Sequence, residues 1–289
     1  MRHLFVRPLT LGLAALALGA CKLDTFLFNE RAADAYTLSN AIIPDSLRQE
    51  VTWTVDGDRV VGVFARQAGP ASPTRLTMLF CHGNKHQLGE YWDRVETFWQ
   101  AGFDVLIFDY RGFGRSTGTS SEATLRRDSE AALGWLHAVR SVQDSTLVIH
   151  GFSLGGVCAI HLAGRIVTPR ALITEDAFAE GAALVHSGSI LDIPADWLLK
   201  DPFDNLGPMR TVTAPVLVVH GTGDTFVAPE NGRRLVAATG AAVRRSLIWV
   251  TGANHSDVPV TIGRAAYGAL YRDFAQTRGV GYAAEATRP

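Results

Sequence analysis

The sequence predicts an α/β domain in which a mostly parallel central sheet is covered by helices on both faces. Short apolar runs rich in β-branched residues alternate with helical segments along most of the chain, a pattern typical of parallel sheets. An alternating hairpin precedes them and predicts antiparallel strands at one edge. Between Thr174 and Pro215 lie 40 residues, more than a plain crossover needs. We therefore expect a small lid over about 177–210, between strands 6 and 7.

The individual elements follow from local signals. The Asp56-Gly57 pair predicts the turn of the opening hairpin, and one apolar face predicts the helix that begins near Ala123. Pro229 and Gly240 bracket a later helix at its start and end. The predicted strands are 51–55, 59–65, 76–81, 103–108, 147–149, 170–174, 215–220 and 245–250. The predicted helices are 90–101, 123–139, 156–163, 230–239 and 259–277.

Composition excludes several classes of function. The chain has 289 residues, of which 47% are hydrophobic and 19% charged, as in an ordinary globular protein. A net charge of −1 gives no electrostatic footprint for nucleic acid, so no nucleic-acid partner is expected. No spacing of Cys, His or acidic residues is typical of a metal site, and we expect neither a metal nor a cofactor.

The first twenty residues resemble a bacterial targeting signal. Basic residues precede an apolar run of twelve residues at 9–20, too short for a bilayer span of about 20. The run ends in Leu-Gly-Ala-Cys21, which resembles the lipobox of bacterial lipoproteins. This resemblance implies a lipidated Cys21, a membrane anchor and the bacterial envelope as location. Lys22 in place of aspartate favours the outer membrane, facing the periplasm. An ordinary secretory signal cut after Ala20 is the alternative.

The expected domain organisation follows from these signals. We expect a signal peptide at 1–20, a tether and N-terminal extension at 21–50, the folded domain at 51–277 and a tail at 278–289. Removing Cys21 from the count leaves Cys81 and Cys158, both in predicted core elements. We expect two buried free thiols. Because the two elements would be neighbours in the fold, a disulfide between these cysteines is the alternative.

Ser153 occupies a turn between a buried strand and a helix. The strand 147–149 runs into Gly151-Phe-Ser153-Leu-Gly155, and the helix follows directly. A nucleophilic serine at such a turn is strained and closely packed, and the two glycines supply the room it needs. The strand–turn–helix context makes a catalytic serine the favoured interpretation. The chain here resembles the α/β-hydrolase superfamily.

Two further candidates follow later strands. Asp224 lies after the strand 215–220, and His255 lies after the strand 245–250. Because the carboxyl ends of parallel strands meet at one edge of the sheet, we expect both near Ser153. The order Ser, Asp, His is that of the α/β-hydrolase triad. His255 would take the proton of Ser153, and Asp224 would orient the imidazole.

Alternatives remain for the acid. Glu175 and Asp176 follow the preceding strand, which is a second acid position in the superfamily, whereas Glu175 could equally be a structural partner beneath the site. Asp257 lies too close to His255 in the chain and is interpreted as a solvated residue or a helix N-cap.

The resemblance also implies an oxyanion hole. The Leu154 backbone N–H follows the nucleophile, and His82-Gly83-Asn84 resembles the superfamily segment whose last residue donates its N–H. We therefore expect Leu154 and Asn84 to be the donors. The segments Asp109–Ser116 and Asp201–Leu206 add a likeness to the short-lidded "α/β-hydrolase domain-containing" branch.

That branch includes esterases, thioesterases and lysophospholipases, so the resemblance implies a small-molecule ester or acyl substrate. Three further residues are expected to contact it: Lys85, Phe152 and Trp197. The Lys85 cation would favour a substrate with an anionic group. The alternative is that the side chain of Lys85 simply points to water. An amidase or peptidase, and a catalytically silent envelope binding protein, are the alternatives.

Overall fold

One eight-stranded sheet forms the centre of the molecule. The computed structural model describes residues 28–70, 72, 74–181 and 203–280. The strands are β1 Arg48–Val55, β2 Asp58–Ala65, β3 Thr77–Cys81, β4 Asp104–Phe108, β5 Leu147–Phe152, β6 Ala171–Glu175, β7 Val216–Gly221 and β8 Arg245–Val250. Their spatial order is β1-β2-β4-β3-β5-β6-β7-β8. β1 pairs antiparallel with β2, and β2 with β4, whereas the remaining pairs are parallel. The predicted fold class is confirmed.

Helices cover both faces of this sheet. They are α1 Trp92–Gln100, α2 Glu122–Arg140, α3 Gly155–His161, α4 Leu206–Met209, α5 Glu230–Ala238, α6 Val258–Thr261 and α7 Arg264–Thr277. One core cluster contains apolar residues of α2, α3, α4 and α5, and the other contains those of α1 and α7. β3, β5 and β7 are buried along their whole length, so the apolar runs that predicted these three strands have a layer of helices on each face.

Two local signals decide where helices begin and break. Ser121 caps α2 in a capping box with Thr124, so the helix begins one residue earlier than predicted. The prediction of a single helix at 259–277 is wrong, because two helices, separated at Gly263, occupy this segment. Gly263 has φ 85°, a left-handed conformation that stops α6 before α7 begins.

The N-terminal extension packs onto the domain. Phe28 is 6% exposed and Ile43 is fully buried, so this segment contributes to both core clusters. Residues 28–36, termed the N-terminal strap, run past the loops that follow β3 and β4, with bridges from Glu30 to His86 and from Ala32 to Gly114. The extension thus packs against the domain from Phe28 onward.

Several predictions fall elsewhere in the chain. Cys21, Trp197 and most of the expected lid, residues 182–202, lie outside the described residues. Among the helices that the structure describes, none has the length and apolarity to cross a bilayer. Cys81 and Cys158 are free, buried thiols, as expected.

Candidate active site

The turn after β5 holds Ser153 in a strained conformation. Its φ is 51°, in the left-handed region that costs a non-glycine residue about 1–3 kcal/mol. The Ser153 N–H donates to the Glu175 carbonyl oxygen at 2.9 Å, which ties the turn to the end of β6. A Cβ added to Gly151 would lie 2.5 Å from the Gly155 carbonyl oxygen and 2.7 Å from the Ala159 Cβ. The two glycines therefore allow strand and helix to meet as closely as predicted.

Three side chains predicted from distant parts of the chain form one hydrogen-bonded row. The Nε2 atom of His255 lies 2.9 Å from the Ser153 Oγ, and its Nδ1 lies 2.8 Å from the Asp224 Oδ2. With the proton on Nδ1, the ring donates to Asp224 and accepts from the Ser153 hydroxyl. Ser153 and Asp224 are each 3% exposed, so the row lies largely out of water.

The loop after β7 fixes the Asp224 carboxylate. Its Oδ1 accepts from the backbone N–H groups of Phe226 and Val227, both at 2.8 Å. Burial raises the pKa of Asp224, but hydrogen bonds from His220 and His255 outweigh that effect and hold the pKa below its usual range. Asp224 therefore stays ionised and can stabilise a charged imidazole.

The loop after β8 places His255. Asn254 donates its backbone N–H to Asp257, which precedes α6 at its N-cap position, so Asp257 shapes the loop and is not only solvated. The rings of Phe226 and Phe152 lie against the His255 ring, at centroid distances of 4.8 and 5.4 Å. These contacts limit the rotation of the imidazole about its side-chain bonds.

A buried ion pair supports the site from beneath. The guanidinium of Arg94 in α1 pairs with Glu175 at the end of β6, and the hydroxyls of Tyr267 and Tyr271 donate to Glu175 at 2.5 Å. Arg94 also donates to the Ser256 carbonyl oxygen at 3.2 Å, next to His255. Sequence reasoning missed Arg94, because nothing local marks a helical arginine as the partner of Glu175.

Neither alternative acid contacts His255 in the hydrogen-bonded row. Burial raises the pKa of Glu175, but Arg94 and the hydrogen-bonding tyrosines outweigh burial and hold this pKa below its usual range. Glu175 is therefore an anion with a structural role. Burial and the neighbouring Glu175 raise the pKa of Asp176 well above its usual range. The Oδ1 of Asp176 accepts from the Gly221 N–H at 2.8 Å.

One group of buried side chains has the composition of a metal site. Ligand atoms of Asp176, His220 and Asp224 lie within 4.8 Å of one another. The Nε2 of His220, however, lies 2.8 Å from the Val227 carbonyl oxygen, which requires a proton on that nitrogen. Backbone N–H groups already occupy one oxygen of each carboxylate. A hydrogen-bonded cluster accounts for this arrangement, and we assign no metal to it.

The loop after β3 lies against the turn that holds Ser153. A Cβ on Gly83 would lie 2.8 Å from the Phe152 ring, so this glycine permits the close approach. The Tyr91 hydroxyl accepts the Lys85 N–H at 2.8 Å and holds the loop. Asn84 is half-buried and its Oδ1 accepts from the Asn29 N–H. The backbone groups of Asn84 and Leu154 remain the predicted oxyanion donors.

The remaining substrate-contact predictions have mixed outcomes. The Lys85 side chain is 61% exposed and its Nζ lies 2.8 Å from the Glu90 Oε2, so its charge is paired at the surface. The prediction that it selects an anionic substrate stays a prediction. Phe152 is only 3% exposed, with the Arg94 guanidinium 4.2 Å from its ring centroid. This burial indicates support beneath the site better than direct substrate contact.

Three comparisons relate this chain to known proteins. Residues 72–198 match the family model described as serine aminopeptidase, S33. The uncharacterized protein MT2364 of Mycobacterium tuberculosis is 31% identical over 277 residues, which cover 93% of this chain and 95% of that protein. Human alpha/beta hydrolase domain-containing protein 17B is 29% identical over 225 residues, covering 74% of this chain and 71% of its own. The Pyrococcus furiosus esterase Pf2001 superposes with a TM-score of 0.70 at 17% identity, covering 86% of this chain and 97% of its own, a likeness of fold.

Proposed function

Because the chain belongs to the α/β-hydrolase superfamily, we propose that it is a serine hydrolase that cleaves carboxylic esters or thioesters through an acyl-enzyme. The observation that carries the proposal is the hydrogen-bonded row from Asp224 through His255 to Ser153. A serine hydroxyl is a weak nucleophile unless a base takes its proton, and the His255 Nε2 lies within hydrogen-bond reach of it.

The proposed reaction has two halves. The Ser153 Oγ attacks the acyl carbon while His255 takes the hydroxyl proton, and the backbone N–H groups of Asn84 and Leu154 stabilise the oxyanion. Collapse of this intermediate breaks the ester bond, and His255 returns the proton to the departing alcohol or thiol. Water then attacks the acyl-enzyme with His255 again as base, which releases the acid and restores Ser153. Asp224 stabilises the imidazolium in both halves.

Replacing the nucleophile tests the proposal. Ser153→Ala should lower kcat on p-nitrophenyl butyrate by about 10⁶, the loss seen for the nucleophile of subtilisin. Ser46→Ala, an exposed serine just before β1, is the matched control and should keep full activity. A fluorophosphonate probe should label wild type and Ser46→Ala but not Ser153→Ala. Equal turnover by the Ser153 variant and wild type would contradict the proposal.

The family description names an aminopeptidase, which keeps amide hydrolysis as a second candidate. Such an enzyme needs an anionic group for the substrate amine, and Glu175 is the carboxylate next to the Ser153 turn. Glu175 is fully buried and bonded to Arg94, Tyr267 and Tyr271, so it is already occupied. Comparing p-nitroanilides with p-nitrophenyl esters separates the two activities. The probe separates both from a catalytically silent binding protein.

The proposal includes the lipid anchor at Cys21. Two or three acyl chains hold a protein at a bilayer firmly where one does not, since each buried CH₂ contributes about 0.8 kcal/mol. Intact mass of the mature protein checks the modification. A Cys21→Ser variant, which lacks the thiol, should stay unmodified and leave the membrane fraction.

A further inference from the structure

The N-terminal strap follows the same sheet edge as the candidate active site. Asn29 donates its backbone N–H to the Asn84 Oδ1 at 2.9 Å, beside the predicted oxyanion donor. Further along, Ala33 donates to the Gly114 carbonyl oxygen at 2.8 Å, and Gly114 donates to the Arg31 carbonyl oxygen at 2.9 Å. The strap is therefore fixed to the loops that follow β3 and β4.

One buried carboxylate joins the strap to the loop from His82 to Leu88, termed the oxyanion loop. The Asp109 Oδ2 accepts the Tyr36 hydroxyl at 2.5 Å, while its Oδ1 accepts the Leu88 N–H at 2.6 Å. The same Oδ1 lies 3.4 Å from the His82 Nε2, and both side chains are fully buried. The strap and the loop from His82 to Leu88 thus share one anchoring point.

The length of the tether then limits where the site can lie. Phe28 is 6% exposed, and its ring lies 6.2 Å from the Phe203 ring, so the chain is fixed in place at this residue. Seven peptide steps separate Cys21 from Phe28. At about 3.6 Å per residue they span at most about 25 Å. An anchor at Cys21 therefore keeps the oxyanion loop near the bilayer.

Exposed apolar side chains lie at this edge as well. Phe226 lies in the loop after β7 and is 44% exposed, and Val260 lies in α6, five residues after His255, and is 68% exposed. The ring of Phe226 contacts the His255 ring. Because β7 and β8 are parallel neighbours, the loop that carries Phe226 and the segment that leads through His255 into α6 begin at the same edge of the sheet. These two side chains, termed the apolar rim, are more stable in contact with acyl chains than in contact with water.

We propose that the carboxyl edge of the sheet faces the bilayer that holds Cys21, and that the substrates are acyl esters presented by that bilayer. This inference rests on the proposed serine hydrolase and on the proposed lipidation. The short tether and the strap set the orientation, and the rim formed by Phe226 and Val260 meets the lipid. An acyl chain then reaches Ser153 without crossing the aqueous phase.

Lengthening the tether tests the orientation. A flexible insertion of about twelve Gly and Ser residues between Asp24 and Thr25 leaves the anchor and the domain intact but frees the domain to rotate. With lipidated protein in vesicles of phosphatidylethanolamine and phosphatidylglycerol, we expect hydrolysis of embedded p-nitrophenyl palmitate to fall about fivefold. Hydrolysis of soluble p-nitrophenyl butyrate should not change. The same insertion after Pro289 is the control and should leave both rates unchanged.

Charge on the rim gives an independent test. Val260→Asp places an anion against anionic lipid and should lower the vesicle rate about fivefold without changing the butyrate rate. Val139→Asp is the matched control, since Val139 is 60% exposed near the end of α2, on the opposite edge of the sheet. The unchanged butyrate rate shows that each variant is folded.

The outcomes separate this inference from the proposed function. Equal vesicle rates for the short and long tethers, or equal losses from Val260→Asp and Val139→Asp, would overturn the orientation while butyrate hydrolysis stayed intact. An unacylated Cys21 in the mature protein would overturn it as well. Failure on both esters would instead reject the serine hydrolase, and the membrane-presented substrate with it.

Discussion

Buried ionisable residues near the Ser153 turn have their charge states set by their surroundings. Asp224 is an anion because His220 and His255 outweigh its burial, whereas burial raises the pKa of Asp176. His150, in β5, has a fully buried ring stacked 4.9 Å from the Phe80 ring. Burial lowers the pKa of His150 to about 4, against the attraction of Glu175. The neutral ring is therefore the form that the fold accommodates.

His150 should make the protein sensitive to acid. Its folded pKa of about 4 is below the ordinary 6.5, so the unfolded chain binds more protons between these values. Stability is thus fully present above about pH 6.5 and is lost as the pH falls, by about 2 kcal/mol at about pH 5. Urea unfolding at about pH 7 and pH 5 should show a smaller loss for His150→Leu than for wild type.

An exposed histidine provides the control, because replacing it changes the number of histidines but not the number of buried ones. His137 on α2 has a side chain 38% exposed, and His137→Gln should keep most of the wild-type acid loss. If His150→Leu lost as much stability between the two pH values as wild type, the buried ring would not be the cause.

Elements are placed by close contacts and by ion pairs between them. The turn that holds Ser153 depends on the close contact of β5 and α3 at glycines, and the Arg94–Glu175 pair joins α1 to the end of β6. Breaking such a buried pair by removing one partner costs about 3–5 kcal/mol, because the other charge is left uncompensated. The elements that carry Ser153 and His255 therefore share one support.

Two glycine substitutions should have opposite effects on stability. Gly151→Ala puts a methyl group against the Gly155 carbonyl oxygen and should lower the free energy of unfolding by about 1–3 kcal/mol. Gly134 is exposed within α2, and an added Cβ meets nothing within 4 Å. Gly134→Ala should raise stability by about 0.5–1 kcal/mol, since alanine favours helix. Urea unfolding measures both, and a stabilised Gly151→Ala would disprove the close-packing account.

At the scale of the whole molecule, the N-terminal extension belongs to the fold. Phe28 and Ile43 fill sites in the two core clusters, on opposite faces of the sheet. Tyr36 satisfies the buried Asp109, and Arg48 donates to the carbonyl oxygens of Leu38 and Ser39. The folded unit therefore includes the chain from Phe28 onward and does not begin at the β1–β2 hairpin.

Truncation should reveal this boundary. A chain that begins at Arg48 loses the burial of Phe28 and Ile43, each contributing about 2 kcal/mol, so we expect a loss of about 4 kcal/mol. A chain that begins at Phe28 keeps these contacts and is the control. Urea unfolding of the two truncated proteins measures the difference. Equal midpoints would mean that the extension adds nothing to the stability of the domain.

The sequence by itself determined the sheet, the strained turn at Ser153 and the sites of Asp224 and His255. Apolar periodicity defines strands, and parallel strands bring the residues after their carboxyl ends to one edge. The tertiary structure alone decided the pairing of Arg94 with Glu175, 81 residues apart, and the contact of Asn29 with Asn84. Neither pair has a local signal, because a polar side chain finds a distant partner only once packing has placed both. The break at Gly263 likewise depended on a backbone conformation that apolar spacing does not encode.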